Sequence, residues 1–268
     1  MSWLPGSVVV VTGGASGIGR ALAERFAVEG ARAVVVADLD GDRATQVAAG
    51  LHGGLGVALD VADEAAVAAL VARVEAELGP IDLWCSNAGL ATGPGLGDDA
   101  TWDLAWRVHV LAHVYAARAV LPGMLARDRG HFLVTASAAG LLTEADTAPY
   151  TVTKHGAVAL AEWLAIQHGG SGVGFSCLCP QGVRTPLLEA VPPESATLAS
   201  GPVIEPEQVA QAVVDAFAAG RFLILPHPEV AEYERRRATD RDRWLAAIRR
   251  LRASARAHLR VEGDQPVQ

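Results

Sequence analysis

Short runs of Val, Ala, Leu and Ile alternate with longer Ala-, Leu- and Glu-rich stretches of helical period along most of this chain. Parallel strands need helical crossovers between them, and a strand covered by helices on both faces is apolar throughout. The alternation therefore predicts an α/β fold with a doubly wound parallel sheet and helices on both faces. Seven strands are predicted, at residues 8–11, 33–37, 56–59, 83–86, 131–136, 174–178 and 222–225.

The length of 268 residues fits one folded unit. We predict a single main domain over residues 1–225 and a helical extension over residues 226–268, packed on that domain or on a neighbouring subunit. Residues 186–206 are rich in Pro, Ser, Glu and Ala without a clear period, and we interpret them as a substrate lid. The arginines of the extension are interleaved with Glu and Asp. This pattern favours a solvated or subunit-packing face over a site for an anionic partner.

The formal net charge of −8 and the pI near 5.5 argue against binding of nucleic acid, which relies on Lys and Arg. Cys85, Cys177 and Cys179 lie in apolar segments and are expected to be reduced core residues of a cytoplasmic protein. Residues 1–6 show no secretion signal. No apolar run reaches the roughly 20 residues that cross a bilayer, so no membrane association is expected. No metal site is predicted.

A glycine-rich loop follows the first predicted strand and opens the first helix, with the sequence Thr12-Gly13-Gly14-Ala15-Ser16-Gly17-Ile18-Gly19. Glycines permit a tight turn and let the backbone approach a pyrophosphate at the positive end of a helix. Because strand, loop and helix occur in the required order, the loop predicts a dinucleotide site.

Asp38 ends the second predicted strand, about 20 residues beyond the glycine loop. An acidic side chain at this place accepts hydrogen bonds from the adenosine ribose and repels a 2′-phosphate. No Lys or Arg stands at positions 15, 16, 39 or 40 to neutralise such a phosphate. NAD is therefore predicted in preference to NADP. The alternative is that Asp38 caps the helix after Gly41.

Three motifs in this order resemble the signatures of the short-chain dehydrogenase/reductase family: the glycine loop, Asn87-Ala88-Gly89 and Tyr150-x-x-x-Lys154. The resemblance extends over about residues 7–225. It implies a Rossmann-type fold, an NAD-dependent oxidoreductase and a homotetramer or dimer. The two longest predicted helices, residues 101–126 and 150–168, are candidates for the subunit interface.

The resemblance also implies cofactor contacts along the chain. It places Asp60 and Val61 at the adenine, Asn87 and Gly89 beneath the cofactor, and Thr185 at the nicotinamide amide. The alternative for Asp60 is a cap on the helix that begins near residue 63. The complete predicted cofactor set is Gly13, Ser16, Gly17, Ile18, Gly19, Asp38, Leu39, Asp60, Val61, Asn87, Ala88, Gly89, Tyr150, Lys154, Pro180, Val183 and Thr185.

Tyr150 and Lys154 are four residues apart in a predicted helix, so their side chains lie on one face a turn apart. An ammonium group nearby lowers the pKa of a phenol, and Tyr150 is predicted to exchange the proton of an alcohol. Ser137 follows the fifth predicted strand, and its hydroxyl is suited to bind the substrate oxygen. The resemblance implies the same catalytic set and a contact of Lys154 with the nicotinamide ribose. Taken singly, each residue has an alternative structural role.

Two positions depart from the family pattern. His109, seven residues after Trp102, stands where the family has an asparagine. His109 is a candidate fourth catalytic residue that holds a water near the lysine or titrates near about pH 6.5; the alternative is a packed helix residue. Gln181 replaces a glycine after Pro180, which leaves the path of that loop over the nicotinamide open.

The predicted substrate pocket is apolar, which favours a hydrophobic secondary alcohol or ketone. Arg184 is the one basic residue near it that suggests an anionic substrate group. The alternatives are a biosynthetic ketoreductase and a catalytically silent NAD-binding regulator. A nucleotide-sugar epimerase would need a larger second domain. The pocket residues are Ala138, Ala139, Leu141, Leu142, Leu187 and Leu188.

Overall fold

A computed structural model describes residues 4–191, 195 and 201–262, with side chains described as far as residue 255. The seven strands form one parallel sheet in the order β3-β2-β1-β4-β5-β6-β7. The predicted Rossmann-type doubly wound sheet is confirmed. Its strands are β1 Val8–Thr12, β2 Ala33–Asp38, β3 Gly54–Ala58, β4 Leu83–Ser86, β5 Gly130–Thr135, β6 Val173–Leu178 and β7 Leu223–Ile224.

Helices connect the strands and cover both faces of the sheet. They are α1 Gly17–Val28, α2 Gly41–Ala49, α3 Glu64–Leu78, α4 Asp99–Trp106, a π-helix Arg107–Leu111, α5 Ala112–Ala126, α6 Ala139–Leu142, α7 Ala148–His168, α8 Pro186–Glu189, α9 Pro206–Ala218, α10 Glu229–Thr239 and α11 Arg241–Glu262. The described parts of the predicted lid, residues 186–191, 195 and 201–206, include α8 and the start of α9; the rest of it lies outside the described residues.

Two hydrophobic cores lie on opposite faces of the sheet. In β1, Val8 and Val10 face the core that contains α3, α5 and α7, whereas Val9 and Val11 face the core that contains α1 and α9. All four valines are fully buried. Side chains of a strand alternate between the two faces, so two buried faces require the unbroken apolar run seen in the sequence.

The outer strands differ from the predicted bounds. β3 begins two residues earlier than predicted, at Gly54, and includes Gly56. A Cβ atom on Gly56 would lie 2.3 Å from the Cα of Thr45, so these glycines let α2 lie directly on the strand. A pattern of apolar side chains does not detect a strand that packs through glycine.

The predicted helix at residues 101–126 begins at Asp99 and is interrupted by the π-helix. The whole stretch Asp99–Ala126 is long and apolar enough, by length and composition, to cross a membrane, so the expectation that no run reaches that length is corrected. Half of its most apolar window is buried inside the protein, where α5 contacts α3 and α4 contacts α7. A core helix of a globular protein meets the same criterion.

The described part of the C-terminal extension lies on the domain of its own chain. Val230 of α10 is fully buried, and Tyr233 and Trp244 pack against the core that contains α7. Arg252 of α11 donates from Nε to Oδ1 of Asp146 at 2.8 Å. These contacts hold α10 and α11 over the loops that follow β4 and β5.

Candidate active site

The glycine loop between β1 and α1 is held in a conformation that needs glycine. Gly13 and Gly17 have positive φ angles of 65° and 49°, which residues with a Cβ rarely adopt. A Cβ atom on Gly19 would lie 2.1 Å from the carbonyl oxygen of Gly13. The backbone of the first turn of α1 therefore comes directly against the loop.

Hydrogen bonds join the end of β1 to the segment that follows β4. The hydroxyl of Thr12 donates to the carbonyl of Cys85 at 3.2 Å and accepts from the N–H groups of Asn87 and Ala88 at 2.9 and 3.2 Å. In turn, Nδ2 of the Asn87 side chain donates to the carbonyl of Thr12 at 3.0 Å. The glycine loop and the Asn87-Ala88-Gly89 motif thus form one rigid surface at the carboxyl edge of the sheet.

This surface fits a dinucleotide. The N-terminus of α1 faces the loop, and the side chain of its N-cap residue, Ser16, makes no capping hydrogen bond that would occupy the first-turn donors. A Cβ atom on Gly17 would meet the Thr185 side chain at 2.8 Å, so the residue predicted at the nicotinamide lies against the glycine loop. Helix donors and a glycine cradle are the arrangement that binds a pyrophosphate.

Asp38 is tied to the glycine loop and does not cap a helix. Its Oδ2 accepts from the N–H of Ala15 at 3.0 Å, and its Oδ1 accepts from that of Asp40 at 3.1 Å. The N-cap of α2 is Asp40, which accepts from Arg43. The capping alternative for Asp38 is therefore excluded. Leu39, next to it, leaves 77% of its surface exposed.

Asp60 and Val61 follow β3 at the same edge of the sheet. Asp60 Oδ1 accepts from the N–H of Ala62 at 2.8 Å, and the cap of α3 is Asp63, which accepts from Ala65 and Ala66. The helix-cap alternative for Asp60 is excluded as well, and its carboxylate is exposed.

Ser137, Tyr150 and Lys154 converge at the end of β5. Ser137 opens the segment that leads into α6, where its hydroxyl accepts from the N–H of Ala139 at 3.1 Å. Tyr150 and Lys154 lie one turn apart on α7, with Lys154 Nζ 5.7 Å from the centre of the Tyr150 ring. The ammonium donates to the carbonyl of Thr135 at 3.2 Å and is almost fully buried.

Burial changes the acidity of both groups on α7. It raises the pKa of the Tyr150 phenol above its usual value, and a hydrogen bond with Ser137 lowers that pKa only in part. Burial also lowers the pKa of Lys154 to about 8. The sequence predicts that the ammonium lowers the pKa of Tyr150. In the structure this pKa is raised instead, because loss of water around the phenol has the largest effect.

His109 lies in the π-helix and is fully buried. Its Nδ1 is 2.9 Å from Oγ1 of Thr153, whose hydroxyl already donates to the carbonyl of Pro149. Nε2 lies 3.1 Å from both the backbone nitrogen and the carbonyl oxygen of Leu90, so each ring nitrogen is within hydrogen-bond distance of a partner. The imidazole and the Tyr150 ring are nearly perpendicular, with the ring centres 5.4 Å apart.

The expectation that His109 titrates near about pH 6.5 is wrong, because burial lowers its pKa well below that of a free imidazole. With both nitrogens engaged, it fits a neutral residue that positions the loop after β4. His113, one turn further along, is also buried, and burial lowers its pKa to about 3. Its Nδ1 bonds Ser86 Oγ at 2.6 Å.

The loop after β6 is positioned by a histidine that the sequence pattern did not single out. The Pro180 carbonyl accepts from the N–H of Ala138 at 2.8 Å. Gln181, the departure from the family pattern, donates its N–H to Nδ1 of His227 at 3.2 Å. Val183 pairs with Ile204 as an isolated bridge. The loop therefore runs between the end of β5 and the start of the C-terminal extension.

A pocket of about 1180 Å³ opens in front of Ser137 and Tyr150. Leu141 was predicted to line this pocket and does not: it lies about 100° around α6 from Leu142 and contacts the hydrophobic core, whereas Leu142 contacts both the core and the pocket. Arg184 lies outside the lining and pairs with Glu205 at 2.7 Å. The predicted residues that do line the pocket are Ala138, Ala139, Leu142, Leu187 and Leu188.

Helices α10 and α11 form the far wall of this pocket, opposite the catalytic candidates. The solvated, ion-paired face expected for the Arg-rich extension is present at Arg235 and Arg236, which are exposed and pair with Glu232. The contact of the apolar residues of the extension with the pocket was not predicted. The signal was present in the spacing of four residues of α11, since i, i+3, i+4 and i+7 share one helix face. These residues are Trp244, Ala247, Ile248 and Leu251, and all line the pocket.

The sheet, the glycine loop and the Tyr-Lys pair are those of a short-chain dehydrogenase. The chain belongs to this family: its model, described as "short chain dehydrogenase", matches residues 7–196. Nicotinamide dinucleotides are the cofactors typical of the family.

Known proteins similar to this chain include a 1-deoxy-11-beta-hydroxypentalenate dehydrogenase of Streptomyces avermitilis, 36% identical over 83% of this chain and 85% of the relative. A cis-4-hydroxycyclohexanecarboxylate dehydrogenase of Sinomonas cyclohexanicum is 34% identical over 77% of this chain and 87% of its own. A solved short-chain dehydrogenase/reductase from Burkholderia phymatum, in complex with NAD, has a TM-score of 0.81 at 30% identity and covers 90% of this chain and 96% of that one.

Proposed function

We propose that this protein is an NAD-dependent oxidoreductase that interconverts a hydrophobic secondary alcohol and its ketone. The observation that carries the proposal is the meeting of Ser137, Tyr150 and Lys154 at the head of a pocket whose nearby walls are apolar. The family and the relatives above, which are named as dehydrogenases, support it.

Tyr150 exchanges the proton of the alcohol oxygen, and Ser137 holds that oxygen while charge develops on it. Lys154, buried beside the phenol, stabilises its anionic form when the ammonium is charged. His109 positions the loop after β4 against this set. The bound dinucleotide supplies the hydride acceptor for oxidation and the hydride donor for reduction.

NAD is proposed in preference to NADP because of the charge around Asp38. Its carboxylate lies beside the loop that would hold the pyrophosphate, and Asp40 follows it. A 2′-phosphate would meet two negative charges there. The exposed Leu39 side chain offers apolar surface to the adenine, with Asp60 and Val61 as its other neighbours. At the other end, Lys154 would hold the nicotinamide ribose, and Pro180, Val183 and Thr185 the amide.

Two of the relatives are named for hydroxylated carboxylates, which supports a secondary alcohol as the substrate here. The alternative of a biosynthetic ketoreductase uses the same residues in the opposite direction. The alternative of a silent NAD-binding regulator is disfavoured by the assembled catalytic set.

We also propose a cytoplasmic homotetramer or dimer. Large apolar side chains on α4 and α7 remain exposed in the single chain, including Trp106, Trp163 and Ile166, the last at 82%. Such residues on neighbouring helices fit an interface between copies. Light scattering measures the assembly directly, and a monomer would contradict this proposal.

The test of the function is NADH formation from a panel of hydrophobic secondary alcohols. Tyr150→Phe removes the proton-exchanging oxygen and is expected to lower kcat at least about a hundredfold while NAD binding persists. Wild type is expected to turn over with NAD and not with NADP.

The matched control is Tyr115→Phe, which removes a phenolic oxygen on α5 outside the pocket lining and should leave kcat unchanged. Turnover that survives Tyr150→Phe would contradict the assignment of Tyr150. Tight NAD binding without turnover of any alcohol or ketone would favour the regulator.

A further inference from the structure

The pocket wall formed by α11 combines apolar and cationic side chains. Arg243 and Arg250 both lie along one side of the apolar stripe that runs from Trp244 to Leu251, and both line the pocket. They are seven residues apart, so they project from nearly the same side of the helix about two turns apart. A ligand in the pocket therefore meets an apolar surface bordered by two guanidinium groups.

Several other charges of the lining already have partners. Glu232 of α10 binds Arg235 at 2.8 Å and Arg236 at 2.9 Å. Asp146, in the loop before α7, binds Arg252 at 2.8 Å. Among the lining residues that the structure describes, these ion pairs account for two of the four acidic side chains and for the two α10 arginines.

The other two acidic side chains are engaged as well. Asp240 accepts from the backbone N–H of Arg243 at 2.9 Å and so caps the start of α11. Glu144 accepts from the N–H of Asp146 at 3.1 Å, and burial raises its pKa above the usual value. Among the residues whose side chains are described, no carboxylate lies within 4 Å of the Arg243 or Arg250 guanidinium.

We propose that Arg243 and Arg250 bind a carboxylate at the end of the substrate remote from its reacting carbon, so that the substrate is a hydrophobic hydroxy acid or the corresponding keto acid. This inference rests on the proposed function. A guanidinium group matches a carboxylate with paired N–H donors. The stripe of α11 would cover the hydrocarbon part, and the acidic side chains of the same wall disfavour a multiply charged phosphate.

The first test uses secondary alcohols that differ only in this charge. Hydroxy fatty acids with the hydroxyl on the penultimate carbon, in a series of increasing chain length, are compared with their methyl esters as substrates with NAD. At the best length, wild type is expected to prefer the acid about tenfold in kcat/KM, with the difference in KM. The series also measures how far the carboxylate site lies from the reacting carbon.

The double variant Arg243→Gln/Arg250→Gln is expected to lose this preference and to keep the kcat/KM of the ester. Arg249→Gln, on the same helix but outside the lining, removes a charge as a matched control and should keep the preference. Equal use of acid and ester by wild type, or equal loss in the Arg249 control, would overturn the proposal.

A binding measurement separates this inference from the proposed function. Saturated fatty acids and their methyl esters carry no alcohol, so calorimetry with the NADH-loaded enzyme reports the carboxylate site without turnover. Preferential binding of the acid that the double variant loses supports the site even if no alcohol is oxidised, in which case the proposed function fails alone. Equal binding of acid and ester overturns the site. Tighter binding of the coenzyme A thioester than of the free acid would also overturn it, in favour of a phosphate group.

Discussion

The dinucleotide cradle and the far wall of the pocket are built in different ways. The cradle is formed around Gly13, Gly17 and Gly19. A Cβ atom added at any of them would lie within 3 Å of a neighbouring atom, which is backbone at Gly13 and Gly19 and the Thr185 side chain at Gly17. The far wall consists of side chains on α10 and α11, held to the domain by buried Val230 and by an ion pair between residues 106 positions apart, Arg252 and Asp146.

The two regions therefore differ in how well they tolerate amino-acid substitutions. The cradle has no room for another atom at these three glycines, so its sequence is restricted at each of them. A wall of side chains around a large pocket can change its residues without disturbing the sheet. The cradle is therefore expected to determine the cofactor and the reaction, and the wall to determine which molecule is presented to them.

The largest effect is expected for Gly19→Ala in the cradle. The added Cβ would lie 2.1 Å from a backbone oxygen, and backbone has to move to admit it. We expect a loss of at least about 2 kcal/mol in the free energy of unfolding, together with loss of NAD binding and of activity on every substrate. Chemical denaturation and calorimetry measure both.

Gly170→Ala is the matched control, since a Cβ there meets nothing within 4 Å. It should change the free energy of unfolding by less than about 1 kcal/mol. A Gly19→Ala protein as stable and active as wild type would show that the cradle is not restricted as described.

The second largest effect is expected for Ser137→Ala, which changes a residue of the pocket lining. Loss of the oxygen-binding hydroxyl is expected to lower kcat about a hundredfold on all substrates. Because the hydrogen bond from Ser137 lowers the pKa of Tyr150, its removal raises that pKa. The phenolate then forms only at higher pH, so the acid limb of the oxidation profile should move upward in pH. Ser137→Thr keeps a hydroxyl, and an identical shift in that variant would contradict this reading.

The smallest effect is expected for Trp244→Ala in the far wall. The variant removes part of the apolar stripe, so KM for a bulky alcohol should rise roughly fivefold. The kcat for a small secondary alcohol and the KM for NAD should stay unchanged. Leu245→Ala, the neighbouring residue outside the lining, serves as the control. A change in NAD affinity would show that the two regions are coupled.

Much of the cradle could be predicted from sequence because its determinants are local. The glycine loop, Asp38 and the Tyr150–Lys154 spacing each concern residues that a strand or helix brings together regardless of the rest of the chain. The same holds for six of the seven strands, which are marked by apolar runs. β3 begins in glycines that pack on α2, and no apolar run marks that start.

The far wall and the environment of His109 depend on tertiary structure. The stripe on α11 is visible in the sequence, yet nothing local says that α11 folds back over the pocket rather than facing solvent or a subunit. For His109, burial lowers the pKa and Lys154 on α7 lowers it further, and its hydrogen-bond partners Thr153 and Leu90 lie on other elements of the fold. The pKa of Tyr150 differs from expectation for the same reason, since burial raises it more than the hydrogen bond with Ser137 lowers it.

The π-helix at Arg107–Leu111 changes the direction in which side chains point along the otherwise continuous helix formed by α4 and α5. One extra residue in a turn rotates everything beyond it by about 100° relative to a regular α-helix. This offset lets α4 contact α7 while α5 contacts α3. Deleting a single residue in this turn would rotate the two halves out of register, so the spacing between Trp102 and Ala112 is constrained in length more strictly than in composition.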